Sequence, residues 1–159
     1  MSGELYLRNN QRTRSINRRL LRWIIRSLLT DLLQQEDFDL TVHLVGQRQM
    51  TRLNETHLQH SGSTDVITFG YSDAKSAEPL SGEIFVCVDE AMTQSKRFRT
   101  TWTSELVRYI IHGLLHIKGY DDQEPTARRR MKREENRLLK EIGARFGLSK
   151  LELKTRLSM

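Results

Sequence analysis

The sequence contains His112-Gly-Leu-Leu-His116-Ile-Lys-Gly119-Tyr-Asp121-Asp122, and this stretch predicts more of the fold and chemistry than any other. Two histidines four residues apart on a helix share one face, so both imidazoles can reach one metal ion at roughly 2.0–2.1 Å. Gly119 is predicted to end the helix, because glycine enters the left-handed conformation without a Cβ penalty. The chain then turns back and brings the carboxylate of Asp122 toward the histidines. Two nitrogens and one oxygen leave coordination positions open, which is typical of a catalytic metal site.

Histidine spacing alone does not establish a metal site. Pairs at this spacing occur by chance on helices that bind no metal, but the glycine and the carboxylate at matching offsets favour a metal site. The spacing is that of the metzincin metalloproteases, yet Gly113 stands where those proteases carry their general-base glutamate. Asp121 is expected to orient a ligand histidine through a hydrogen bond or to hold the turn. It is the substitute ligand if Asp122 points away.

The same stretch resembles the signature of a known family. Residues 112–122 are similar to His-Gly-x-Leu-His-x-x-Gly-Tyr-Asp-His, the signature of the YbeY endoribonucleases, which are bacterial metal-dependent enzymes of ribosomal RNA maturation and quality control. Three further segments resemble family segments in the same order, namely Leu53-Asn54, Ser63-Thr-Asp65-Val-Ile-Thr68-Phe69 and Gly82-Glu83-Ile84. The resemblance runs from about Asp39 to about Leu139 and covers most of the chain.

The resemblance implies a function, a cofactor and partners. The implied function is that of a zinc-dependent, single-strand-specific endoribonuclease acting in ribosomal RNA maturation, at the 3′ end of 16S RNA, and in ribosome quality control. One zinc ion per chain would be held by His112, His116 and Asp122. Another divalent metal is the alternative, because two histidines and a carboxylate serve both zinc and iron. The implied partners are ribosomal RNA and the small ribosomal subunit, without membrane or DNA.

The departures from the family pattern concern the site itself. The third ligand of the family is usually histidine, and Asp122 stands there; the family usually has an arginine where this chain has Leu58. The negative charge that develops on the phosphoryl group in the transition state must then be stabilised by the metal or by another cation, such as Lys118 or Arg99. Asp65 is expected either to line the cleft or to cap a turn. The catalytic candidates beyond the metal site are therefore Asp65 and Lys118.

Composition limits the classes of protein without selecting one. The chain has 159 residues and a net charge of +6, which suits a polyanionic partner such as RNA but also an ordinary basic protein. The single cysteine, Cys87, lies in an apolar run and is predicted to be a buried hydrophobe, in keeping with a reducing cytoplasm. The longest apolar stretch, 20–33, contains Arg22, Arg26 and Asp31 and is not predicted to span a membrane.

Hydrophobic periodicity predicts the elements. The expected strands are 5–7, 40–45, 66–69 and 84–88. The expected helices run from a Ser15 cap to about residue 35, over 47–57 and 91–98, from a Ser104 cap through both histidines, and from Thr126 onward. Tyr71 to Ser81 is predicted to be a loop. Four short strands with segregated helices indicate an α+β fold.

The resemblance adds detail to this architecture. It implies a small mixed four-stranded sheet with about five helices and a zincin-like metal-site helix. Residues 1–159 are expected to form a single hydrolase domain of this family, with 147–159 as a loosely attached tail.

Two other functions compete with the endoribonuclease. The first is a non-enzymatic or weakly active ribosome-associated factor, in which a structural metal ties helix to loop and the basic surface binds RNA. The absence of the arginine at Leu58 favours it. The second is a zinc peptidase with metzincin-like geometry, which Gly113 disfavours because the attacking water lacks its usual glutamate.

Overall fold

The computed structural model describes residues 3–58, 62–71 and 79–154, to which the structural statements below refer. The strands are β1 (Glu4–Asn10), β2 (Phe38–Val45), β3 (Val66–Gly70) and β4 (Leu80–Cys87). The α-helices are α1 (Arg18–Ser27), α2 (Gln47–His57), α3 (Val88–Phe98), α4 (Trp102–Ile117) and α5 (Pro125–Arg145). The predicted α+β fold with a small four-stranded sheet and about five helices is confirmed.

The sheet is mixed, as the family resemblance implied. Its strand order is β1-β2-β4-β3. β1, β2 and β4 are parallel, and β3 runs antiparallel to β4. Side chains alternate along each strand, so on β2 Leu40, Val42 and Leu44 are buried whereas Thr41 and His43 between them are half-buried on the opposite face.

The helix α4 carries both histidines and packs against β3 and β4. Its N-cap is Thr101, whose side chain accepts a hydrogen bond from the Ser104 backbone N–H at 3.2 Å; Ser104, the expected cap, lies inside the first turn. Gly113 lies against β4, and a Cβ at this position would come within 2.8–3.0 Å of the Ile84 side chain. The glycine therefore lets the helix approach the sheet closely and fixes the height of the histidines above it.

We expect Gly113→Ala to destabilise the protein. The added methyl group must displace the fully buried Ile84, and overpacking of this kind costs about 1–3 kcal/mol, partly offset by the roughly 1 kcal/mol better helix propensity of alanine. Gly143→Ala on α5 is the matched control, because a Cβ there meets only Leu148 at an ordinary 3.8 Å. Urea unfolding should show a lower midpoint for Gly113→Ala and a higher one for Gly143→Ala. Equal shifts would contradict the close approach at Gly113.

The first helix begins later than the sequence predicted. Asn17 caps α1, with its side chain accepting from the Leu20 N–H at 3.1 Å, whereas the sequence pattern favours Ser15 as the cap. The reason is tertiary. The residues before Asn17 pair with the end of the chain, through hydrogen bonds from Asn17 N to Leu151 O at 2.7 Å and from Leu153 N to Ser15 O at 3.1 Å.

Other boundaries also shift. α1 passes into a π-helical turn at Leu28–Leu32, so the helix ends before the expected residue 35. β4 starts at Leu80 rather than at residue 84, and α3 starts at Val88 rather than at residue 91. The predicted loop before β4 falls largely on residues 72–78, which lie outside the described residues.

The segment expected as a tail is described as far as residue 154. Leu148–Leu151 form a short 3₁₀ helix, and Leu151 is fully buried. Glu152 forms an isolated bridge with Ile16 and accepts a hydrogen bond from the indole of Trp102 at 2.9 Å. The described part of this segment is therefore packed against the fold.

Cys87 is fully buried beside Val45, Met50 and Ile67, as the apolar run around it predicted. It is a free thiol, and burial raises its pKa. None of the described helices combines the length and apolarity needed to cross a bilayer.

Candidate metal centre

Three side chains bring donor atoms together at the end of α4. His112, His116 and Asp122 each offer one atom, and these atoms lie within 4.8 Å of one another. Asp122 Oδ2 is 3.6 Å from His112 Nε2 and 3.4 Å from His116 Nε2. A tetrahedral ion with ligands at about 2.0–2.2 Å holds them roughly 3.3–3.6 Å apart. The donor types and both spacings therefore fit a divalent cation.

The turn after α4 brings Asp122 to the histidines. Gly119 has a φ of 106°, and its N–H donates to His116 O at 3.0 Å, while Tyr120 N donates to Leu115 O at 2.9 Å. The helix ends by this reversal as predicted from the glycine. Beyond it, the Asp121 carboxylate accepts a hydrogen bond from the Gln123 N–H at 2.9 Å.

Asp121 was expected to orient a ligand histidine or to hold the turn. Its hydrogen bond to Gln123 lies within the turn. Glu135 on α5 contacts a candidate ligand histidine, with Oε2 at 2.9 Å from His112 Nδ1. Glu135 is 4% exposed, and Arg108 donates to its other oxygen at 2.9 Å. Glu135 is thus placed to orient His112, whereas the hydrogen bond of Asp121 lies within the turn.

The electrostatics of this contact place a carboxylate anion beside His112. Burial tends to lower the pKa of His112, but the hydrogen bond and charge of Glu135, with the charge of Asp122, outweigh it and raise the pKa. Burial tends to raise the pKa of Glu135, but the hydrogen bonds from His112 and Arg108 outweigh it and lower the pKa. Glu135 can therefore accept a hydrogen bond from Nδ1 of His112. In the neutral tautomer that makes this bond, Nε2, the nitrogen near Asp122, is the one available to a metal ion.

Sequence reasoning missed Glu135, although a signal was present. The buried positions of α5 are Met131, Glu135, Leu138 and Ile142, which follow one another at helical spacing. A carboxylate within an apolar stripe requires a buried partner. Its partner lies on another helix, however, so the sequence alone did not identify it.

We expect Glu135→Gln to weaken divalent-metal binding about 10- to 100-fold, because the neutral amide lacks the negative charge of the carboxylate and orients the His112 ring less firmly. Glu134→Gln is the matched control, because Glu134 pairs with Arg137 away from the histidines. Competition against a coloured chelator measures both affinities. If both variants bind metal like the wild type, Glu135 does not position His112.

Two cavities meet at the candidate ligands. The α5 cavity lies between α3, α4 and α5 and has a volume of about 570 Å³. The β3 cavity lies between α4 and β3 and has a volume of about 540 Å³. His112, Asp122 and Asp65 line both. A substrate chain that crosses the candidate centre would therefore have space on either side.

The other predicted site residues divide between the cleft and its surroundings. Asp65 lines both cavities, and its Oδ1 accepts a hydrogen bond from the Val66 N–H at the start of β3 at 2.8 Å. Leu58 is 44% exposed and lines the β3 cavity beside both histidines. Lys118 donates to the Gln35 side chain at 3.2 Å and lines neither cavity.

The cations of the cleft come from residues that the sequence did not single out. Arg99 ends α3 with a φ of 57° and, like Lys118, lines neither cavity. Among the described residues, the Arg and Lys side chains that line the α5 cavity are Arg108, Arg128, Arg129 and Lys132. Three of these four belong to the first half of α5, where basic residues are dense.

Comparison with known proteins gives a consistent result. Residues 6–143 match the family model described as Endoribonuclease YbeY. The Endoribonuclease YbeY of Chlorobium phaeobacteroides (strain BS1) is 38% identical over 145 residues, which cover 89% of this chain and 98% of that protein. The Endoribonuclease YbeY of Salinibacter ruber is 30% identical over 144 residues, covering 87% and 91% of the two chains.

A solution structure of a Thermotoga maritima protein supports the fold alone. It superposes with a TM-score of 0.68 at 22% sequence identity and covers 98% of this chain and 100% of that one. The family model spans nearly the whole described region, from β1 to the last turn of α5, and includes all three candidate ligands. The chain belongs to the Endoribonuclease YbeY family.

Proposed function

We propose that this protein is a zinc-dependent endoribonuclease that cleaves single-stranded RNA, with His112, His116 and Asp122 holding one ion per chain. The observation that carries the proposal is the convergence of these three donors at an open cleft in a chain of this family. We further propose ribosomal RNA as the substrate, at the 3′ end of 16S RNA, with roles in maturation and quality control of the small subunit. Residues 1–159 would act as one domain in the cytoplasm.

The residues of the cleft have distinct roles in this proposal. When bound, a divalent ion supplies Lewis acidity and lowers the pKa of a water molecule. His112 and His116 present Nε2, and Glu135 fixes the His112 ring by accepting its Nδ1 proton at 2.9 Å. Arg128 holds the turn, because its Nε donates to the Asp122 backbone carbonyl at 3.0 Å. The two cavities leave room for RNA on both sides of the centre.

Asp65 is our candidate for the group that accepts a proton during cleavage, because it is a carboxylate that lines both cavities. Asp65→Asn keeps a hydrogen-bond acceptor for the Val66 N–H and removes the charge. We expect kcat to fall about 10²-fold, at the lower end for a lost general base, with metal content unchanged. A kcat equal to that of the wild type would exclude Asp65 from this role.

A non-enzymatic RNA-binding factor is the second candidate. It is favoured by Leu58, which faces the β3 cavity beside the histidines but offers no charge or hydrogen-bond donor. A zinc peptidase is disfavoured by the packing of Gly113. A side chain at that position runs into Ile84, so a glutamate there lacks the room to serve as general base.

The deciding experiment compares three proteins on two substrates. Wild type, chelator-treated wild type and His116→Ala are incubated with a labelled single-stranded oligoribonucleotide and, separately, with casein. We expect RNA cleavage by the untreated wild type alone and no casein digestion. RNA binding without cleavage above the His116→Ala background would favour the binding factor, and casein digestion would favour the peptidase.

A further inference from the structure

The α5 cavity has features that cleavage at the metal centre does not itself require. It extends from His112 and Asp122 to the end of α3, and its volume of about 570 Å³ lies within the range of small-ligand sites. Because it opens directly from the candidate ligands, whatever occupies it is adjacent to the reacting group.

One wall of this cavity comes from α3. Phe98, the last residue of that helix, is 59% exposed, and its ring is approached by the Arg97 guanidinium at 5.4 Å. Gln94 lies one helical turn earlier and lines the same cavity. Within the described residues no hydrogen bond occupies the Gln94 amide, so its donor and acceptor groups can meet a ligand.

The opposite wall comes from α5 and is cationic. Arg128, Arg129 and Lys132 line the cavity. Lys132 Nζ lies 3.6 Å from Glu135, but Glu135 is also paired with Arg108 and His112, so its charge is shared among several partners. The wall thus presents positive charge to solvent. Exposed aromatic surface opposite cationic side chains is the combination that binds single-stranded nucleic acid.

We propose that the α5 cavity binds one unstacked nucleotide of the RNA strand, next to the phosphate at the metal centre. The Phe98 ring stacks on the base, the Gln94 amide hydrogen-bonds to its edge, and Arg129 and Lys132 contact the backbone phosphate. This inference rests on the proposed function and adds a recognition subsite to it. A base can enter only after it leaves its stack, so the subsite also supplies a physical reason for a single-strand preference.

Two strands of equal length separate stacking from phosphate contact. One is an oligouridylate, and the other is the same ribose-phosphate chain without bases. Binding is measured by fluorescence anisotropy with chelator present, so that no strand is cleaved. Phe98→Ala and Phe98→Leu test the ring, Gln94→Met tests the amide, and Lys132→Ala tests the phosphate contact. Trp23→Ala is the control, because Trp23 is 64% exposed on α1 and lies outside the cavity.

We expect Phe98→Ala to bind the oligouridylate about 5- to 150-fold more weakly, and the base-free strand as the wild type does. Phe98→Leu should weaken binding of the oligouridylate nearly as much as Phe98→Ala does. Gln94→Met should weaken binding of the oligouridylate about 2- to 13-fold and leave binding of the base-free strand unchanged. Lys132→Ala should weaken both strands equally. Trp23→Ala should change neither.

Three outcomes separate this subsite from the proposed function. Equal affinity of wild type and Phe98→Ala for the oligouridylate overturns the subsite, even if the wild type cleaves RNA. A base-dependent loss in a protein that never cleaves RNA supports the subsite and contradicts the endoribonuclease. If the wild type binds neither strand, the subsite is overturned, and the endoribonuclease is judged separately by the cleavage assay with metal bound.

Discussion

Replacing either His112 or His116 by alanine is expected to abolish stoichiometric metal binding and to reduce RNA cleavage to background. Each variant leaves two donors at an open site, and two ligands rarely hold a divalent ion against water and chelators. The Asp122 oxygen then lies beside a single imidazole, at 3.6 Å from His112 or 3.4 Å from His116, and the set of three donors is incomplete. Elemental analysis after gel filtration should show close to one ion per chain in the wild type and none in either variant.

Controls for this result are present in the chain. His57→Ala removes an exposed histidine that contacts the Phe69 ring, and it should keep its metal. Asp122→Ala should weaken binding, whereas Asp122→His should tighten zinc binding because imidazole is the softer donor. Full occupancy in the double variant His112→Ala/His116→Ala would contradict the site. If Asp122→Ala competes with the chelator for metal as well as the wild type does, Asp122 is not the third ligand and Asp121 becomes the candidate.

Leu58→Arg is expected to raise the rate of RNA cleavage about 10²- to 10³-fold, the amount that one well-placed donor contributes to an anionic transition state. Phosphodiester cleavage places additional negative charge on the phosphoryl oxygens, and a guanidinium can meet it with two hydrogen bonds. The structure favours this outcome, because position 58 is exposed and lines the β3 cavity with both histidines. Turnover on one oligonucleotide at fixed metal and salt measures the gain.

The matched control is Leu153→Arg. It adds the same charge at another exposed leucine, 48% exposed near the end of the described chain, and does not line the cleft. A gain at 58 and none at 153 supports a positioned cation rather than a general increase in positive charge. If the wild type already cleaves rapidly and Leu58→Arg changes nothing, another residue supplies the cation, and those lining the α5 cavity are the first to test.

The sequence predicted the part of the site that is local. Two histidines at helical spacing, a glycine that reverses the chain and a carboxylate three residues later all lie within 112–122, and their positions follow from backbone geometry. The structure brings the three donors together within 4.8 Å. From the sequence, Gly113 is notable only because it stands where metzincin proteases have a glutamate. Its packing against Ile84 depends on the position of β4 and cannot be predicted from neighbouring residues in the sequence.

Contacts between distant elements account for what was missed. Glu135 meets His112 across the α4–α5 interface, and the pairing depends on how two helices pack rather than on the spacing within either. Lys118, a catalytic candidate by its position in the sequence, donates to Gln35, before β2, and this contact is not visible in the sequence. Asn17 replaces Ser15 as the cap of α1 because the 3₁₀ helix near the end of the chain pairs with the preceding residues.

RNA cleavage by this protein is proposed to require a metal ion held by His112, His116 and Asp122. The direct test is to strip the wild type with chelator, titrate zinc back, and measure bound metal and the cleavage rate of one single-stranded oligoribonucleotide in the same samples. We expect the rate to rise in proportion to occupancy and to stop rising at one ion per chain, while His116→Ala stays at background throughout. A stripped protein that cleaves as fast as the reloaded one, or a rate unrelated to occupancy, would contradict it.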